Sequence, residues 1–300
     1  MAVSISSEIR SNVAKTYAFM AGFVVFVVLF GYVLGQALGY GNSWMYIAVI
    51  FSVISSAVSY YWGDSIVLAM SGARPADRRR DFDFFTVTEN IAIASGIPKP
   101  RLYVIEDTAM NAFATGRDPS HAVVCATAGL LSRLERRELE GVIAHEMSHI
   151  KNFDTRLMAV VAVLAGSVAF LADMFMRSLW WGGHRNRDED RGLGSLLLVV
   201  GLALAILSPL VATLIQLAIS RRREFLADAS AAYVTRYPEG LARALEKLKS
   251  DREVLEAATN ATAHLFITNP FKGKQFGAWF SSLFDTHPPI VERIRILRSM

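Results

Sequence analysis

The stretch His145-Glu146-Met147-Ser148-His149 places two imidazoles four residues apart with a carboxylate beside the first. On a helix, side chains at that spacing share one face about one turn apart, so both rings can reach a single Zn²⁺ while Glu146 reaches a water activated by the ion. The chemistry expected of such a trio is metal-assisted hydrolysis, with His145 and His149 as ligands and Glu146 as base. The competing reading is a pair of solvated histidines on a helix face. The remaining ligands and the surrounding elements must separate the two.

Catalytic zinc keeps three protein ligands and an open position, so one more ligand is needed. A metzincin would place Gly at 152 and His at 155, but the chain has Asn152 and Thr155. An intramembrane zinc protease would carry a buried HExxH and an Asp in a later apolar segment. Here the approach to His145 holds Glu135, Arg136, Arg137, Glu138 and Glu140, and no Asp-Gly pair occurs anywhere. Each charge at the bilayer centre costs on the order of 2.5–3.5 kcal/mol, which puts the motif at the membrane surface or above it. What remains is a Glu on a second helix with an acid one turn later. Glu224 and Asp228 fit that form, Glu224 as ligand and Asp228 as acceptor for the second N–H of a ligand His, against the plainer reading of surface acids at a helix start. A structural zinc site would be closed by four ligands, generally rich in Cys, and Cys125 is the single cysteine.

The elements that must position these residues include a membrane. Apolar residues make up 53% of the 300, and the mean hydropathy is +0.33, too hydrophobic for an ordinary soluble chain. Four nearly uncharged runs, 16–40, 44–62, 157–176 and 193–219, are each long enough to cross about 30 Å of hydrocarbon, Asp173 being the exception within them. The first is too long for the core of a signal peptide and is expected to stay as an anchor. The net charge of +4 does not point to nucleic acid, because Arg10 and Lys15, Arg74 with Arg78, Arg79 and Arg80, and Arg221, Arg222 and Arg223 flank the runs. Positive-inside topology explains them and puts these segments in the cytoplasm. The loop 182–192 mixes three arginines with three acids and says little about sidedness. One cysteine cannot form an internal disulfide, which fits a reducing compartment, and Cys125 reads as a small buried hydrophobe.

Residues 1–62 thus form an arm and two spans, 63–156 the first part of a soluble domain, 157–219 two further spans, and 220–300 its second part. A helix is expected over 84–95, ending at Gly96-Ile97-Pro98, then strands at 101–105 and 121–126. Between them Asn111-Ala112-Phe113-Ala114-Thr115-Gly116 makes a hairpin with the second strand, and its free edge would accept an extended peptide along Asn111, Ala112 and Phe113; an ordinary hairpin fits the pattern equally. Helices follow over 134–151, over 241–249, and from Pro288-Pro289 to the end. An even number of spans between His149 and Glu224 leaves both on one side of the membrane.

Taken together, the four spans, Asn111 to Gly116, the HExxH pentad, Arg223-Glu224-Phe225-Leu226-Ala227-Asp228 and Thr286-His287-Pro288 resemble the HtpX family of bacterial membrane metalloproteases, over essentially the whole chain. The resemblance implies an HExxH gluzincin of the plasma (inner) membrane with one Zn²⁺ per chain, held by His145, His149 and Glu224, with Glu146 as catalytic base. Its substrates would be polypeptides, misfolded or damaged membrane proteins, cleaved on the cytoplasmic side in quality control and stress response. The expected fold is mainly α: four transmembrane helices and a cytoplasmic α+β zincin-like domain with a small β-hairpin or sheet. His287 is a candidate for stabilising the oxyanion; its rival role is a residue held at the start of the last helix by Pro288 and Pro289. A zinc-keeping scaffold without activity is the non-enzymatic alternative.

Overall fold

The computed structural model describes residues 5–37, 41–182, 221–259, 261–271 and 288–300. Helices α1 (Ile5–Ala37) and α2 (Ser43–Met70) form an antiparallel hairpin and are, among the described residues, the two helices long and apolar enough to cross a membrane. A Cβ on Gly31 would lie 2.5 Å from the Cβ of Ala48, so the two helices approach to a distance that only glycine permits. Val25, Leu29 and Val33 on α1 and Ile47, Ile50 and Ile54 on α2 are more than half exposed, an outer surface suited to lipid rather than water. The apolar run ends at Trp62, yet α2 continues to Met70 because Val67 and Leu68 are buried against the soluble core.

After β1 (Arg74–Pro75) come α3 (Phe82–Ser95), β2 (Arg101–Ile105), β3 (Ala112–Thr115) and β4 (Val123–Thr127). The sheet runs β1-β2-β4-β3. β3 and β4 form the expected antiparallel hairpin, but β2 takes the other side of β4 in parallel register, Arg101 opposite Val123. Period-2 alternation sorts the side chains. Val104, Ala112, Ala114, Val124 and Ala126 face the core built on α3 and the metal-motif helix, whereas Phe113, Val123 and Cys125 face Val67 of α2 and, later in the chain, Met158 and Ala162. The sheet is thus the layer between the core built on α3 and the metal-motif helix and a second core that includes the end of α2. Burial pushes the Cys125 thiol well above its usual range, which keeps it protonated and unreactive.

Past α4 (Ala128–Arg133), α5 (Arg136–Lys151) carries the pentad. It starts two residues later than the pattern suggested: Leu134 and Glu135 are extended, and the Glu135 N–H donates to Glu138 Oε2 at 2.8 Å, satisfying one donor of the first turn. At Gly141 a Cβ would lie 2.6 Å from the Leu241 nitrogen, so α8 (Pro238–Ser250) rests directly on the α5 backbone. α5 ends at Lys151 with Asn152 as its cap, and Phe153, with φ 59, lies at the 80° bend into α6 (Asp154–Gly182). α6 contains the third apolar run and begins before it; it passes as a span only when joined to α5 across that bend. The fourth run and residues 183–192 lie outside the described residues. α7 (Arg221–Thr235) and α9 (Ile290–Leu297) complete the described helices.

Candidate metal centre

α5 presents His145 and His149 one turn apart, and α7 packs on α5 so that Glu224 faces the gap between them. All three are buried, and their ligand atoms lie within 4.8 Å of one another. The two Nε2 atoms are 3.2 Å apart; Glu224 Oε1 is 3.5 Å from His149 Nε2 and Oε2 is 3.7 Å from His145 Nε2.

What faces away from the gap decides what the gap can hold. His145 Nδ1 is 2.9 Å from Asp228 Oδ1, and His149 Nδ1 is 2.9 Å from Asp154 Oδ2. A ring nitrogen beside a carboxylate carries the proton and donates it, which leaves both Nε2 atoms as lone pairs. Two lone pairs and a carboxylate converging in a buried space repel unless a cation lies among them. Two imidazoles and one carboxylate form the donor set of catalytic zinc sites with an open position, so the residues fit Zn²⁺.

A guanidinium from the C-terminal helix backs the cluster. Arg293, with no exposed surface, donates Nε and Nη2 to Asp228 at 2.8 and 2.7 Å, and Nη1 is 3.5 Å from Glu224 Oε2. Burial works to raise the Asp228 pKa, but the charge and paired bonds of Arg293, with His145, outweigh it and hold the carboxyl below its ordinary range. Burial likewise works to lower Arg293, and the charges of Asp228, Glu224 and Glu146 outweigh it and raise it. For His149, burial favours the neutral ring, yet the bond to Asp154 and the charges of Glu224 and Glu146 lift it to about 9. In the absence of a cation, a proton on His149 answers the same negative field.

Of the residues singled out in the sequence, His145, Glu146, His149, Glu224 and Asp228 come together here. Ala112 and Phe113 open β3 and Asn111 immediately precedes it; the strand packs on α5, but its outer edge is engaged within the chain at this end. The Ile267 N–H donates to the Ala112 carbonyl at 3.0 Å, Asn111 Nδ2 donates to the Thr268 carbonyl at 3.0 Å, and Phe113 stacks edge-on against Phe266. By antiparallel alternation, Ala114 is the next residue to turn its main-chain groups outward. His287 lies outside the described residues. Sequence reasoning missed Arg293 and Asp154. The signal for Arg293 was present: it shares a helix face with Leu297 four residues on, an arginine where an apolar residue belongs. Asp154 gave none, since it follows a helix break.

A model of peptidase family M48 matches residues 79–300, which includes every element of the centre. The chain is 46% identical to a protease HtpX homolog of Caldanaerobacter subterraneus over 291 residues, 96% of this chain and 95% of that one. It is 45% identical to a protease HtpX homolog of Thermoanaerobacter pseudethanolicus, over the same shares. A crystal structure of S. mikatae Ste24p superposes with a TM-score of 0.49 at 18% identity, covering 97% of this chain and 67% of that one. With the family model spanning the HExxH helix and Glu224, and relatives aligned along nearly the whole length, the chain belongs to peptidase family M48 and is a metalloprotease.

Proposed function

We propose that the protein is a zinc endopeptidase of the plasma membrane that cleaves misfolded or damaged membrane proteins at its cytoplasmic face, as part of quality control under stress. The observation that carries the zinc chemistry is the convergence of His145 Nε2, His149 Nε2 and the Glu224 carboxylate, with both Nδ1 atoms already committed to carboxylates. His145, His149 and Glu224 would hold Zn²⁺, which would supply Lewis acidity to the scissile carbonyl and acidify the attacking water. Glu146, next to His145 on the same buried helix turn, takes the proton of that water and passes it to the leaving amine. Asp228 and Asp154 orient the ligand rings, and Arg293 keeps Asp228 ionised. His287 remains a proposed stabiliser of the oxyanion.

Substrate is read as extended along β3, beside α5, within 111–115. Because Ile267 holds the Ala112 carbonyl, Ala114 is where a peptide strand gains its first main-chain partner. For the membrane part, four spans are supported by the four apolar runs and the basic clusters beside them, and a cytoplasmic catalytic domain by the same clusters.

The test contrasts two carboxylates with different work. Glu146→Gln keeps the shape but cannot take a proton, so peptide cleavage should collapse while zinc stays close to one per chain. Glu224→Gln replaces an anionic ligand by a weak neutral one, so zinc and cleavage should fall together and excess Zn²⁺ should rescue part of the activity. Metal analysis beside a cleavage assay decides it; full zinc with full activity in Glu224→Gln would remove Glu224 from the centre.

A further inference from the structure

Asn12 lies near the start of α1, the first span, and has no exposed surface. It touches no ligand of the metal centre, yet its whole amide is engaged by the groups that hold the centre in place. Nδ2 donates to Asp154 Oδ1 at 2.7 Å and to the Asn152 carbonyl at 2.9 Å, and Oδ1 accepts from Arg223 Nη1 at 3.2 Å. Two acceptors face its nitrogen and a guanidinium faces its oxygen, which settles how the amide is turned. Arg223 also donates to Asp154 Oδ1 at 3.2 Å, and Asp154 Oδ2 takes His149 Nδ1. Three donors from α1, α5 and α7 therefore meet on one buried carboxylate.

The Asp154 carboxylate can hold the His149 ring at one angle only if its own rotation is stopped. One oxygen bonded to two donors from two different helices stops it. Arg223 immediately precedes Glu224, so the same amide steadies the helix turn that carries the third ligand. We propose that Asn12 is a positioning residue of the metal centre: through Asp154 it orients the His149 imidazole, and through Arg223 it fixes the first turn of α7, so the first membrane helix is a working part of the catalytic site. The inference rests on the zinc ligands of the proposed function.

The readout is the zinc dissociation constant of the full-length protein in detergent, measured by competition with a chromogenic chelator. Loss of a group that orients a ligand costs about 10–100-fold in metal affinity, so Asn12→Leu should weaken zinc by that factor. Thr16→Val, buried one turn along the same helix with its hydroxyl donating to the Asn12 carbonyl, should stay within about twofold. Asn12→Leu should cost clearly less in an Asp154→Ala background than it does alone, because the path through Asp154 is already gone and only the one through Arg223 is left to lose. Wild-type affinity in Asn12→Leu overturns the proposal, as does an additive loss in the double variant. If Asn12→Leu does not fold, Asn12→Asp is read instead. It sets two carboxylates in contact and should weaken zinc at least as much, and the exchanged pair Asn12→Asp/Asp154→Asn should regain about tenfold; no recovery overturns the proposal. His149→Ala tells the two readings apart. Zinc kept there at wild-type affinity overturns the metal centre and this inference together, whereas zinc lost there and kept in Asn12→Leu overturns this inference alone.

Discussion

Arg293 is a full charge with no exposed surface, tolerated because Asp228 meets it with two bonds and Glu224 stands behind. Removing one member of a buried pair leaves the other charge uncompensated, at a cost of about 3–5 kcal/mol. Arg293→Met should therefore lower the melting temperature of the metal-free protein, and Arg293→Lys should recover little, since an ammonium cannot reproduce the bidentate fork. The pH dependence has a definite sign. Asp228 is held below the ordinary carboxyl value of 3.8 in the folded state, so its stabilisation is present above that value and disappears as pH falls through the lower folded one. In Arg293→Met the folded value rises, so stability is lost at neutral pH and the wild type's steep decline below about pH 4 should flatten. Equal melting of the two proteins at neutral pH would refute the pairing. These residues also show how far spacing carries a reading. The histidines and the Glu224–Asp228 step are legible because each is a contact within one helix turn. Arg293 meets Asp228 across 65 positions, and Asn12 meets Asp154 across 142; no local pattern encodes such pairs.

The first turn of α6 ties the elements together. Asp154 accepts His149, Thr155 Oγ1 donates to the Gly116 carbonyl at 3.0 Å just past β3, and Arg156 donates to the Arg117 carbonyl while its guanidinium lies over the Tyr60 ring of α2. α6 thus begins by bonding the metal helix, the end of the edge strand and the second apolar helix. The sequence pattern showed α6 only as an apolar run from Leu157, because the polar turn that matters precedes it. The sheet was half legible: alternation and turn residues identified the β3–β4 hairpin, but nothing local announces that β2 pairs in parallel on the far side, or that β1 is two residues long. The α5–α8 contact makes a separate prediction. In Gly141→Ala the new methyl meets the Leu241 nitrogen and Cα at 2.6 and 2.8 Å, backbone atoms that cannot swing aside. Overpacking of that kind costs about 1–3 kcal/mol, so thermal unfolding should move down by several degrees. An unchanged transition would show that α8 does not rest on α5 as described.

For the molecule as a whole, packing constrains topology. α6 leaves the metal centre at Asp154 and runs 29 residues, about 43 Å at 1.5 Å per residue, before Gly182. Yet Arg223, on the far side of that excursion in sequence, is back at 3.2 Å from Asp154. The chain between must return as far as it went, and the apolar run 193–219 has the length to do so in one crossing. That arithmetic supports four spans with 63–156 and 220–300 on one side. Cysteine labelling from outside intact cells tests it. Native Cys125 is fully buried with its thiol held protonated, so it supplies little background. Asn42→Cys, at the exposed turn between α1 and α2, should react with a membrane-impermeant maleimide, whereas Lys249→Cys, exposed at the end of α8, should react only after the membrane is opened. A cysteine at Arg187, between the third and fourth runs, should behave like Asn42→Cys. Labelling of Lys249→Cys in sealed cells would put the metal centre outside, and protection of Arg187→Cys would mean that α6 does not cross, in which case the return to Arg223 runs along one face of the bilayer rather than through it.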